Sequence, residues 1–426
     1  MGLLLMNNKK SDKKIVVKFG GSSLADHERL LKAVTSVVTE AQKGTKIVVV
    51  VSAMGKTTDA LLITAKKTSN GRLQKQELDD ILSMGERTSV RIFAAALRNN
   101  GTSSCYFDPL DDHWPIITDA AFSNANPIIT ECAPRIREYV LPLVEKGIIP
   151  VIAGFVGKTP DGKITTLGRG GSDTTAFILA EALQADEIVL VTDADGIMSG
   201  DPKIISNPRR LEKIDVSTLV GLADSGAKFV HTKALKYKPQ AINVRVIHSQ
   251  HGDLSKQGTI ITGGLSTELD VNLAYSSQVA EITIVGCNLS DNPPIVHEIM
   301  EKARKRSALL GMSMNQNSVI LYVAEEANID ELVNDTHQTV LNNKENIAMA
   351  VKKNLAYLRV IGVGLEETHG IIGKISETLR LNNINISGIL TITSSILLFV
   401  DWTEKDKVLN LIKNALKTQI EKDERK

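Results

Sequence analysis

An α/β unit with a mainly parallel, helix-covered sheet, followed by two smaller α+β modules in tandem, is the architecture the sequence predicts. Three observations predict it. Residues 15 to 265 alternate short β-branched runs with amphipathic helical stretches, the pattern of strands joined by helical crossovers. The first run ends in a Gly-Gly turn that opens a helical stretch. The last third of the chain matches itself at a fixed offset of 76 residues, which marks a repeated unit.

Ile15 to Phe19, Ile47 to Val51, Ile148 to Phe155 and Glu187 to Thr192 read as buried strands, because near-continuous apolar runs suit a sheet covered on both faces. After Gly20-Gly21-Ser22-Ser23, Leu30, Val34, Val37 and Ala41 recur at helical spacing, and Ser23 with Asp26 resembles a capping box. In the repeat, Ile282, Ile284, Gly286, Leu289, Ile295, Ile299, Glu301 and Arg304 fall opposite Leu358, Val360, Gly362, Leu365, Ile371, Ile375, Glu377 and Arg380. Each copy reads strand, loop, helix, strand. Val319 to Val323 and Ile396 to Val400 add a further strand to each, so a βαββαβ unit of the ferredoxin-like type fits both.

The length of 426 residues exceeds what one core usually serves, so several domains are expected. Fifty basic against 49 acidic residues give a net charge of +1, which leaves no global field to attract nucleic acid or an anionic membrane. Cys105, Cys132 and Cys287 are scattered without metal-ligand spacing and read as packing residues in a reducing compartment. The apolar opening Met1 to Met6 soon gives way to polar residues, unlike a signal peptide, and no run reaches membrane-span length. A soluble cytoplasmic protein is expected.

Chemistry concentrates in a few segments. Lys18-Phe-Gly-Gly-Ser-Ser23 puts a cation at a strand end, two glycines in the turn and two hydroxyls where a helix begins, an arrangement suited to cradling phosphate. It lacks the Walker A spacing. Thr165-Thr-Leu-Gly-Arg-Gly-Gly-Ser-Asp-Thr-Thr175 is a second glycine-rich segment, read as opening the apolar helix 176 to 183, and its Arg169 suits bidentate carboxylate recognition.

With Val51-Ser-Ala-Met-Gly-Lys-Thr-Thr-Asp59, Ser83-Met-Gly-Glu86 and Thr192-Asp-Ala-Asp-Gly196, these segments resemble, in content and order, those of the aspartokinases of the amino-acid kinase superfamily. The tandem repeat is similar to the paired ACT domains of that family. The resemblance implies a tail over 1–14, a carbamate-kinase-like three-layer α/β/α catalytic domain over 15–265, and ACT domains over 266–350 and 351–426. It implies transfer of the γ-phosphoryl group of ATP to the β-carboxylate of L-aspartate. The product would be 4-phospho-L-aspartate, at the first step toward lysine, threonine and methionine. Mg²⁺ would be held mainly by the ATP phosphates, with no assigned protein ligands.

Residue by residue, the resemblance gives Lys18, Gly20, Gly21 and Ser22 to the ATP phosphates and the transferring group, and Ser52, Thr58 and Ser172 to the aspartate pocket. Glu86 would hold the substrate ammonium, Arg169 its carboxylate, and Asp173 would order the site. Thr192, Asp193, Lys203 and Lys228 would meet the nucleotide. The chain departs from the family pattern at Met198 and Lys203, on the nucleotide side, and at His231-Thr232, where the backbone course need not match.

The ACT pair implies feedback by lysine or threonine and association into a homodimer or larger homo-oligomer. In the first copy the effector loop would be Asn288-Leu-Ser-Asp-Asn-Pro-Pro294, with Asn288, Ser290 and Asp291 as ligands. In the second copy the matching loop, Gly364 to Gly370, fits the ACT pattern better, and the resemblance gives it chiefly to pairing between the modules. Two rivals remain on sequence grounds: a sister kinase acting on acetylglutamate, carbamate or a nucleotide, and a non-catalytic amino-acid sensor. Glu86 and Arg169 together suit a free amino acid, which disfavours the first.

Overall fold

The computed structural model describes residues 13–201, 204–224, 230–265, 269–326, 328–342, 347–362, 365, 370–392 and 395–423. Lys203, Lys228, most of the 364–370 loop and residues 1–12 of the expected tail lie outside the described residues. The chain divides into two compact units, Met1–Leu265 and Ser266–Lys426.

In the first unit the strands are β1 (Lys14–Phe19), β2 (Lys46–Val51), β3 (Ser104–Phe107), β4 (Ile149–Ala153), β5 (Val156–Lys158), β6 (Ile164–Thr166), β7 (Glu187–Thr192), β8 (Lys213–Asp215), β9 (Asn243–His248) and β10 (Thr259–Thr262). Eight of them form one sheet in the order β3-β4-β2-β1-β7-β9-β10-β8. It is parallel from β3 to β9, and only the β9–β10 pair is antiparallel. The β5–β6 hairpin stands apart.

The helices are α1 (His27–Gln42), α2 (Thr57–Thr68), α3 (Lys75–Asn99), α4 (Ile129–Arg135), α5 (Leu141–Glu145), α6 (Gly171–Leu183), α7 (Val216–Asp224) and α8 (Thr232–Leu235). The first and third pack together over β2, while α4 and α6 pack together against the other face. Covered on both sides, Val16, Val17 and Val48 to Val51 are fully buried, as a β-branched parallel core requires.

The structure differs from the sequence reading in several places. The Gly-Gly turn leads first into a short 3₁₀ turn, Gly21–Leu24, and α1 begins only at His27. Asp26 alone caps that helix, accepting from the Arg29 N–H, whereas the Ser23 hydroxyl donates to the Val191 carbonyl. Helix α6 begins at Gly171, earlier than expected, so Ser172 and Asp173 lie in its first turn. Of the three cysteines, Cys132 is buried and Cys105 half-buried, but Cys287 is exposed, so it is not a core residue.

In the second unit the elements are β11 (Asp270–Leu273), β12 (Val279–Gly286), α9 (Pro293–Arg306), β13 (Leu309–Asn315), β14 (Ser318–Ala324), α10 (Ile329–Asn342), β15 (Ile347–Ile361), α11 (Ile371–Leu381), β16 (Gly388–Ile392), β17 (Ser395–Asp401) and α12 (Lys405–Asp423). One antiparallel sheet runs β13-β14-β12-β15-β17-β16, and β11 also pairs with β15. The first half of β15 pairs with β12 and the second half with β17 and β11. Two modules therefore share this strand, and the expected boundary between residues 350 and 351 falls inside it. The fourth strand of the second module is β11, which precedes the first module in the chain.

Strand residues alternate between faces. Leu321 and Val323 join the core under α9 and α10, and Leu398 and Val400 the core under α11 and α12. On the opposite face Tyr322 and Phe399, close to one repeat interval apart, stack at 3.6 Å between ring centroids. The two modules thus bury equivalent sheet faces against each other.

Candidate active site

Phe19 aligns with Val51 on one side and Val191 on the other, and Val51 with Ala153, so the C-terminal ends of β1, β2, β4 and β7 are level. In open parallel sheets ligands bind in the crevice beyond such ends. Here the crevice holds a cavity of about 310 Å³.

Two backbone turns meet at its floor. The Gly55 N–H donates to the Gly21 carbonyl at 2.9 Å and the Ser52 N–H to the Phe19 carbonyl at 3.1 Å. A Cβ on Gly21 would lie 2.8 Å from the Ala53 carbonyl oxygen, so only glycine lets the turn after β1 sit against the turn after β2. Lys18, one residue before the end of β1, forms a 2.7 Å ion pair with Asp173 of α6, both side chains mostly buried. The Ser52 hydroxyl donates to that of Ser172 at 2.9 Å.

Glu86 enters from α3. Gly85 beside it approaches so closely that a Cβ there would stand 2.7 Å from the Ala53 Cβ, and this brings the Glu86 Oε1 within 3.0 Å of the Ala53 N–H. The other oxygen, Oε2, is buried with no hydrogen-bond partner among the described residues. Desolvation pushes the Glu86 pKa up to about 7, against the opposing pull of the Ala53 N–H. A buried carboxylate oxygen at the wall of a cavity without a donor is an open half of an ion pair.

Of the residues expected at the site, Lys18, Gly21, Ser52, Thr58, Glu86, Ser172 and Asp173 line this one cavity. Gly20 and Ser22 flank Gly21 in the same turn, and the Gly20 N–H donates to the Val191 carbonyl. Arg169 sits between two lining glycines, Gly168 and Gly170, with its side chain exposed. Asp193 instead lines a second cavity of about 250 Å³ between α1 and the 248–254 turn, and Thr192 donates to its carboxylate.

In the second unit Asn288 and Asp291 are exposed and Ser290 half-buried. The Asn288 side-chain oxygen accepts from Gln316, and the Ser290 hydroxyl donates to Asp291.

Sequence reasoning missed Ala53, Gly55 and Phe155 in the cavity wall. Ala53 acts through its main chain, which no residue type announces. Phe155 follows β4 with a positive φ of 67°, and only the adjacent Gly154 hinted at a sharp turn there.

A Gly-Gly turn at the end of the first strand, a lysine paired with an acid across it and a glycine-rich second loop define a phosphotransferase of one fold class. Residues 13–248 match the amino acid kinase family, and the chain belongs to it. Its relatives there include aspartokinases. That of Geobacillus stearothermophilus is 33% identical over 87% of this chain and 89% of its own length, and aspartokinase 2 of Bacillus subtilis (strain 168) is 32% identical over 92% and 95%. The aspartate kinase of Synechocystis superposes with a TM-score of 0.76 over 95% of this chain and 69% of that one, at 25% identity. Aspartokinase III of E. coli, solved with aspartate and ADP, shares the fold at a TM-score of 0.54 and 23% identity, over 95% of this chain and 100% of that one.

Proposed function

We propose that the chain transfers the γ-phosphoryl group of ATP to the β-carboxylate of L-aspartate, giving 4-phospho-L-aspartate and ADP. The observation that carries this reading is the Glu86 Oε2, without a donor among the described residues, at the wall of the cavity that also holds Lys18. It calls for a cationic group on the acceptor, and a free amino acid brings one. Acetylglutamate has its amine masked and carbamate has no ammonium.

Phosphoryl transfer needs in-line positioning and neutralised charge more than covalent help. A carboxylate oxygen of aspartate attacks the γ-phosphorus and the bond to the bridging oxygen of ADP breaks. With a side-chain pKa of about 3.9 the nucleophile is already ionised and needs no base. Lys18 offsets the charge growing on the phosphoryl oxygens, and Asp173 holds its ammonium in the cavity. Mg²⁺ arriving with the ATP phosphates would share that neutralisation, and the oxygen donors of Asp173, Ser52 and Ser172 suit so hard an ion. Arg169 takes the aspartate α-carboxylate, and Lys203 and Lys228 meet the nucleotide with Thr192 and Asp193.

The same proposal makes the protein a cytoplasmic homo-oligomer joined through its second unit, with lysine or threonine bound near Asn288, Ser290 and Asp291. No helix among the described residues is long and apolar enough to cross a membrane.

The reading is tested by trapping the product as a hydroxamate with hydroxylamine, using Mg-ATP and L-aspartate. Aspartate-dependent hydroxamate from the wild type and a loss of at least about 100-fold in Lys18→Ala are expected, the size seen when a transition-state donor is removed. No hydroxamate from folded wild type would move the function to a sister kinase or a sensor.

A further inference from the structure

Lys233 has no part in the chemistry above, yet it is one of the most completely engaged cations in the described structure. It lies in α8 and is only 8% exposed. Its ammonium donates to the Asn124 carbonyl at 3.0 Å, the Asn124 Oδ1 at 2.7 Å, the Ala125 carbonyl at 3.0 Å and the Leu167 carbonyl at 2.8 Å. Burying an ammonium is unfavourable unless oxygens replace its water. Four oxygens around three protons do so, and in return they are held where the ammonium needs them.

Those oxygens belong to two segments, Asn124–Ala125 and the residue that leads into the cavity-lining glycines. Leu167 is the last residue before Gly168-Arg169-Gly170, and its N–H donates to the Phe155 carbonyl in the cavity wall. The Ala125 N–H donates to the Thr166 carbonyl at 2.9 Å. Gly170 rests directly on the start of α8, where a Cβ would come within 2.7 Å of the His231 Cβ. The ammonium therefore ties three stretches of chain together at the base of the loop that presents Arg169. Because the Arg169 side chain is exposed, packing does not fix it. Its position depends on the anchorage of its loop.

We infer that Lys233 is a positioning residue for substrate binding: it holds the 167–170 loop so that Arg169 meets the α-carboxylate of aspartate. The substrate side of this inference rests on the aspartate kinase reading. A contact made equally in the ground and transition states governs KM rather than kcat, so loosening the loop weakens aspartate capture and leaves the ATP side in place.

The test uses the full chain as wild type, Lys233→Met and Asn124→Ala, with two readouts. In Lys233→Met, amides of 166–171 exchange with deuterium about 10-fold faster, as local opening becomes easier. KM for aspartate rises about 10-fold or more, while kcat stays within about threefold and KM for ATP within about twofold. Should Lys233→Met fail to fold, Asn124→Ala removes one of the four oxygens and shifts exchange and aspartate KM the same way by about threefold. Unchanged exchange at 166–171 overturns the inference, and so does a parallel rise in both KM values. If wild type makes no aspartyl hydroxamate, the aspartate reading fails instead. The exchange arm then decides alone whether Lys233 holds the loop.

Discussion

Glu86 carries two opposite consequences of one burial. Its pKa stands near 7 because burial withholds water from the carboxylate, and an arriving ammonium reverses that by pairing with Oε2. Aspartate KM should rise as pH falls from about 8 to about 6, where the free site becomes protonated. Glu86→Gln can still accept from the Ala53 N–H but offers no charge. Its KM should be raised by about 10- to 100-fold, the range for a lost hydrogen bond to a charged group, and should lose this pH dependence. For folding the sign is reversed: a raised carboxyl pKa stabilises the fold below the ordinary value of 4.5, and that contribution is lost as pH rises through about 7. Melting of wild type and Glu86→Gln at pH 5 and pH 8 checks it, the variant gaining relative stability at the higher pH. Glu86 and Lys18 were legible in sequence because each sits in a contiguous motif. Lys233 was not, since its identified partners are three carbonyls and one amide oxygen from distant stretches, and a carbonyl leaves no mark on residue choice.

Among elements, the long β-branched strands announced themselves, while β5, β6 and β8, of three residues each, are too short for periodicity to register. Strand β11 escaped notice for a related reason. It has only four residues, and its partners Leu358 to Ile361 lie far along the chain. It is nonetheless structural: Val271 is fully buried in the core of the second module, and Asn272 faces the other way, opposite Arg359. Val271→Asp should therefore cost about 3 kcal/mol or more in urea denaturation, the scale for an unpaired polar group forced into a core. Asn272→Asp, one residue on, should stay within about 0.5 kcal/mol. Equal losses from the two would mean that β11 is not a core strand.

For the whole molecule, the internal repeat was readable because each module needs its own core and so preserves the same apolar positions. The division of labour within β15 was not, because a strand serving two modules has the same alternation as one serving a single module. If the second unit senses an end product, lysine or threonine should bind the full chain with measurable heat and shift aspartate affinity by about 5- to 150-fold, a coupling of about 1–3 kcal/mol. Aspartate must then weaken effector binding by the same factor. Titrations silent for both amino acids, or a one-sided effect, would remove the regulatory part of the proposal.

The placement of β11 also sets a leash. Leu265 ends the first unit and Asp270 begins the strand, and the five peptide steps between them reach at most about 17 Å when fully drawn out. The tether ends in a strand of the second module's sheet. A rearrangement that carries that sheet farther than the slack allows must either tow the kinase unit with it or strip β11 from the sheet.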